Sequence, residues 1–283
     1  MDLSGEIADS ERKNKDILTD EITAFVDSDR TDFTEFIASL YSDDNVDAVE
    51  NSRQVTLLKP YRSSFTSFPN GVFEGVWEAD FNSFSFSLLK EKSEDERVQG
   101  LAVLLQELFD SEKDVSKRYR LKKLKIALFL NLRFVLSPLF NAKAFQEINE
   151  AMRGCMARLT AFARENAVVL SSAYDSVAWV KPKRVFTAEE LSKVAGASLK
   201  LRHYSKVVKF YNVALFESED GGKISRTTRT STDGMKEGVC RALLENDFLK
   251  ATTLISECGA GLKKKREYLT ELTEARESVL KNG

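Results

Sequence analysis

The sequence predicts a mainly α-helical chain: an irregular multi-helix bundle or helical array, with a small β-hairpin or extended element near residues 54–89. Three observations carry that expectation. Only four prolines and thirteen glycines occur among 283 residues, too few for the corners of an all-β architecture. Apolar residues recur at helical spacing from Glu94 onward. The run Ile126–Leu136 is apolar on nearly every side, so as a helix it must be enclosed by its neighbours, which makes it the expected core helix.

In chain order, the first fourteen residues are polar, as frayed termini are. Leu18, Ile22, Phe25 and Val26 form one helical stripe, and Phe33, Phe36, Ile37 and Leu40 a second one beyond the acidic break at residues 27–32. Pro60, Pro69 and Asn70-Gly71 interrupt the next stretch. There Val72, Glu74, Val76 and Glu78 alternate, as do Phe84, Phe86 and Leu88, which is the period of strands. Leu101, Leu104, Leu105 and Leu108 return to helical spacing. Phe145, Ile148, Met152, Cys155, Met156, Leu159 and Phe162 give the clearest amphipathic helix.

Residues 166–182 are less regular, and Thr187 with Glu190 has the capping-box spacing for a helix that stops near Gly196. Tyr204, Val207, Val208, Tyr211 and Leu215 read as a further helix. Residues 217–234 read as a mobile loop, being polar and poor in apolar side chains. Two short helical segments follow, around Val239, Ala242 and Leu243 and around Leu249, Leu254 and Ile255. A charged terminal helix over residues 262–281 closes the chain, its stripe of Tyr268, Leu269, Leu272 and Val279 offered to a protein partner or a second copy.

Net charge is only −2, but it is unevenly spread. Residues 1–112 carry 25 acidic and 10 basic side chains, and residues 113–209 carry 7 and 20. This suggests an acidic N-terminal lobe over 1–112 and a basic-to-neutral helical lobe over 113–283, with a polyanion as the partner of the basic part. The expected phosphate contacts are Lys117, Arg118, Arg120, Lys122, Lys123, Lys125, Lys183, Arg184, Arg202 and Lys206. Tyr119, Tyr204 or Trp179 would be available to stack on bases.

Catalytic patterns are scarce. The acidic segment from Asp27 fails as an EF-hand, because Asp32 falls where the loop needs glycine and Ala38 where it needs the bidentate glutamate. His203 is the sole histidine, with no nucleophile motif around it, and is expected on a basic helix face. Cys155, Cys240 and Cys258 are odd in number and lack C-x-x-C spacing, which argues against disulfides or zinc. Gly221-Gly222 and Gly259-Ala-Gly261 lack the lysine-serine pair of a phosphate loop.

No eighteen-residue apolar run and no cleavable leader pattern is present, so a cytoplasmic protein without membrane contact is expected. The expectation is therefore a non-enzymatic protein needing no cofactor or metal. It would be a self-assembling single-stranded RNA-binding protein of nucleoprotein type with a basic groove, or alternatively a helical scaffold or adaptor subunit meeting an acidic protein partner.

Overall fold

A computed structural model describes residues 4–41, 64–66, 68–81, 84–135, 137–173, 175–220, 222–227 and 234–282. The chain divides into two units that interleave along the sequence instead of meeting at residue 112. The first comprises residues 1–61 and 83–153, the second residues 62–82 and 154–283.

The first unit is helical. It holds α1 (Ser4–Asp27), α2 (Phe33–Ser39), α3 (Phe84–Lys92), α4 (Glu96–Ser111), α5 (Val115–Asn131) and, as far as Arg153, α6 (Ala142–Asn166). Asp95 and Asp114 cap α4 and α5 by accepting from the amides of Arg97 and Lys117. The α5 helix is the one against which α1, α2, α3 and α4 pack. Its Leu124 and Leu128 are fully buried, as are Ile22, Ile37, Leu101 and Leu105, while Phe25 stacks on Phe36 at 4.1 Å.

This central helix lies earlier in the chain than the apolar run suggests. The basic residues Lys117–Lys125 are inside it and not in an entry turn, and it ends at Asn131. There the Asn131 side chain donates to the carbonyls of Ala127 and Thr34 and accepts from the Ser137 hydroxyl. Phe84, Phe86 and Leu88, expected on a strand, lie on the helix α3. Residues 54–63 of the expected extended element fall outside the described residues.

The second unit overturns the mainly α expectation. Its strands are β1 (Ser64–Thr66), β2 (Gly71–Phe81), β3 (Val168–Ala173), β4 (Ser176–Val180), β5 (Leu199–Phe210), β6 (Val213–Ser218) and β7 (Lys223–Thr227). Among the described residues they form one seven-stranded antiparallel sheet in the order β1-β3-β4-β2-β5-β6-β7. The fold class is α+β. Tyr204, Val207, Val208 and Leu215 are strand residues, and part of the expected loop at 217–234 is β7. Residues 228–233 of that loop lie outside the described set.

The misreading has a physical source. A strand covered on both faces buries consecutive side chains, as Val207 and Val208 do, so its alternation vanishes and a helical period can be drawn through it. On one face of this sheet Val76, Leu170, Ala178, Tyr204, Val207 and Phe216 cluster. On the other, Val72, Val208, Phe210 and Leu215 pack against α8 (Gly234–Leu244), α9 (Phe248–Glu257) and α10 (Leu262–Asn282).

Val72 and Val76 are four apart on one strand yet belong to opposite clusters. The reversal falls at Gly75, whose φ of 59° is the left-handed backbone that only glycine adopts freely, between the pairs Glu74–Lys206 and Val76–Tyr204. A further helix, α7 (Ala188–Ala195), has the expected capping box of Thr187 and Glu190 and ends at Gly196 with φ 74°. Among the described residues no helix is long and apolar enough to cross a membrane.

Candidate nucleic-acid interface

The ten basic side chains expected to hold phosphates fall in both units: Lys117, Arg118, Arg120, Lys122, Lys123 and Lys125 in the first, Lys183, Arg184, Arg202 and Lys206 in the second. Most spend their charge inside their own unit. Lys117 pairs with Asp27 at 2.6 Å. Arg118 donates to the Glu112 carbonyl and lies over the Phe109 ring, and Arg120 donates to the carbonyls of Phe25 and Arg30. Lys125 is only 3% exposed, donates to Gln106 Oε1 at 2.8 Å and sits over the rings of Phe86 and Phe109. Lys122 is exposed, and Lys123 lies over the Tyr119 ring at 5.1 Å.

In the second unit Arg184 forms a two-pronged pair with Glu190 at 2.9 and 3.1 Å, and Lys183 is exposed. Arg202 and Lys206, expected on one helix face, are strand residues that point to opposite sides of the sheet across the Gly75 reversal. Arg202 pairs with Asp80 at 2.8 Å and with buried Glu78 at 3.2 Å, and the Tyr204 hydroxyl donates to the same Glu78 carboxylate. Lys206 is buried and donates to the Leu244 carbonyl and to Asn246 Oδ1, closing the C-terminal end of α8, where a cation meets the negative end of the helix dipole. Of the residues expected to stack on bases, Trp179 and Tyr204 are core side chains, while Tyr119 is 58% exposed.

A different basic and aromatic cluster surrounds the turn between β5 and β6. Phe68, Pro69, Asn70, Lys209, Tyr211, Asn212 and Lys236 line a wide-mouthed cavity of about 750 Å³, within the size range of small-ligand sites. Tyr211 stands at the hairpin tip with φ 55°, a conformation an aromatic residue rarely takes and one that gathers at functional sites. The Asn70 side chain holds it there, accepting from the Tyr211 amide at 2.7 Å while donating to Glu271 at 2.8 Å.

Lys209 donates to the Phe68 carbonyl at 2.5 Å, and burial pushes its ammonium below the usual lysine range. Lys236 donates to Asn212 Oδ1, with its ammonium 5.6 Å from the Tyr211 ring centre. Lys264 is 5.3 Å from the same ring and pairs with Glu267. Two lysines, Lys236 and Lys264, thus bring their ammonium groups to one half-buried tyrosine, with Glu267 and Glu271 offsetting part of their charge, while Lys209 lines the cavity beside them.

The composition of this cluster is not visible in sequence, because it draws on residues 68–70, 209–212, 236 and 264. The one available signal is Tyr211-Asn212 between two apolar runs, a hairpin cue that the helical reading of the same residues hides.

The partner-facing stripe expected on the last helix is turned inward. Tyr268 and Leu272 are buried in the unit's own core, Leu269 is packed partly against it, and Tyr268 lies 5.8 Å from Phe210; the Val279 side chain is outside the described set. His203 is on β5 and not on a helix, its Nδ1 2.6 Å from Glu219 Oε1 and its ring 4.3 Å from that of Trp77. Cys155 and Cys240 are buried, and burial pushes the Cys240 thiol up to about 12, which suits a packing group better than a nucleophile. Asp27 and Asp32, in the segment that fails as a calcium loop, pair with Lys117 and Arg30.

No protein-family model and no curated protein matches the chain. Among solved structures it is similar to the family B DNA polymerase from the hyperthermophilic archaeon Pyrobaculum calidifontis, at 11% identity and a TM-score of 0.45. The match covers 88% of this chain and 41% of that one, so the chain spans about two fifths of the polymerase's length. So loose a likeness brings none of the polymerase's chemistry to this chain.

Proposed function

We propose that this chain is a non-enzymatic, cytoplasmic binding protein for single-stranded RNA, with its contact at the β5–β6 turn and not along the basic run of α5. The observation that supports it is the cluster at the turn: lysine ammonium groups around the ring of Tyr211, at the mouth of a cavity wide enough for a nucleotide. Single strands are held by this combination, an aromatic face for a base and cations for the phosphates on either side. The lysines of the turn are also engaged, Lys236 with Asn212 and Lys264 with Glu267, but they stay at the ring and the cavity, whereas on α5 Lys125 is buried and Arg118 and Arg120 are turned to backbone carbonyls.

Photo-crosslinking tests the reading. A uridine 20-mer carrying 4-thiouridine, irradiated with the full chain and digested for mass spectrometry, should mark the peptides that contain Phe68, Tyr211 or Lys236. Adducts confined to residues 115–131, or none that unlabelled RNA competes away, would overturn it.

A further inference from the structure

The helix α5 carries a second feature, on the side away from the core. Val115, Tyr119 and Ile126 are among the exposed large apolar side chains, at 81%, 58% and 42%. With exposed Lys122 between them they recur at steps of four, three and four, the spacing that lines side chains along one stripe of a helix. The stripe runs roughly 16 Å at 1.5 Å per residue. Lys123 flanks it with its ammonium over the Tyr119 ring, and exposed Lys113 precedes its first turn. Two carboxylates beside its first turn are turned to the backbone: Glu112 accepts from the amides of Lys113 and Asp114, and Asp114 from the amide of Lys117.

We infer that this stripe is a docking face for an acidic amphipathic helix of a partner protein. The partner's apolar side chains would cover Val115, Tyr119 and Ile126, and its carboxylates would meet Lys122 and Lys123. Helix-on-helix recognition of this kind reads anchors at three- and four-residue spacing and takes its partner choice from the flanking charges. Protein fits the stripe better than RNA does, because its two ends, Val115 and Ile126, are aliphatic and a phosphate backbone would leave them wet. The inference is independent of the RNA reading, which concerns other residues in the other unit.

The probe is a fluorescein-labelled eighteen-residue amphipathic peptide with a leucine face bordered by glutamates. Its control carries lysine at each glutamate position. The acidic peptide should bind the full chain saturably and the basic one should not. Ile126→Ser and Tyr119→Ala should each weaken binding at least tenfold, and Lys122→Glu with Lys123→Glu should abolish it. These four positions are surface ones, and circular dichroism of each variant confirms that it is folded.

The inference is overturned if the acidic peptide fails to bind, if both peptides bind alike, if the apolar substitutions have no effect, or if a uridine 20-mer displaces the peptide. Light scattering supplies the remaining arm. A dimeric parent made monomeric by Ile126→Ser would give the face to a second copy of this chain and overturn the partner assignment.

Discussion

The α5 helix and the β5–β6 turn are both rich in lysine, and they place it differently. Along α5 the cations are dense in sequence, but the helix is central to its unit, so those on its inner and lateral faces are drawn into packing. Lys125 lies in the core between Phe86 and Phe109, and Arg120 reaches across to the carbonyls of Phe25 and Arg30. At the turn Lys236 and Lys264 come from distant segments, and folding brings both ammonium groups to the ring of Tyr211 beside a cavity that Lys209 also lines. Charge density along a chain and charge available to a ligand are therefore separate properties, divided by which face of which element each cation occupies.

That contrast breaks most visibly at Lys125. If its charge serves the fold, Lys125→Glu should cost about 3 kcal/mol or more in a urea melt, because it buries an unpaired carboxylate between the rings of Phe86 and Phe109 and against the Gln106 oxygen. Lys125→Met, which keeps the stem that packs on the rings and loses the bond to Gln106, should cost less, about 1–2 kcal/mol. A glutamate variant as stable as the parent would place this ammonium at the surface and erase the difference between the two regions.

The extent to which sequence reveals these regions follows the same division. Helices with one buried face are legible: the stripe of α6, the leucines of α4 and the capping box of α7 all sit where their periods put them. Of the sheet, β2 is legible in the alternation of Val72, Glu74, Val76 and Glu78, but β5 is not, because its residues 206–208 are buried in succession and it reverses its facing opposite Gly75. Val207-Val208 and Leu215 consequently mimic a helical repeat. The last helix is recognisable as amphipathic, but periodicity does not say whether an apolar stripe is covered by its own unit or by another chain. Here Tyr268 and Leu272 meet Phe210 and the helices beside it. The turn cluster depends on contacts between distant segments, to which no local pattern points.

A smaller effect sharpens the comparison within β5 itself. Lys206 is three residues from Lys209, yet it serves α8 by donating to the Leu244 carbonyl and Asn246. Lys206→Met should lose about 1.5–3 kcal/mol of stability, the usual worth of hydrogen bonds from a charged donor, without weakening RNA binding by the folded protein. Loss of RNA affinity in a variant that circular dichroism shows to be folded would move the contact from the turn onto the strand.

The most direct test compares the two lysine groups on one ligand. Fluorescence anisotropy with a labelled uridine 20-mer, titrated over a series of salt concentrations, is measured for the parent, for Lys236→Glu with Lys264→Glu, and for Lys122→Glu with Lys123→Glu. The turn variant should bind at least tenfold more weakly. Its plot of log affinity against log salt should also be shallower by about 0.7 for each phosphate that the variant no longer neutralises. The α5 variant should bind within twofold of the parent with an unchanged slope. The opposite pattern, an intact turn variant beside a crippled α5 variant, would contradict the account.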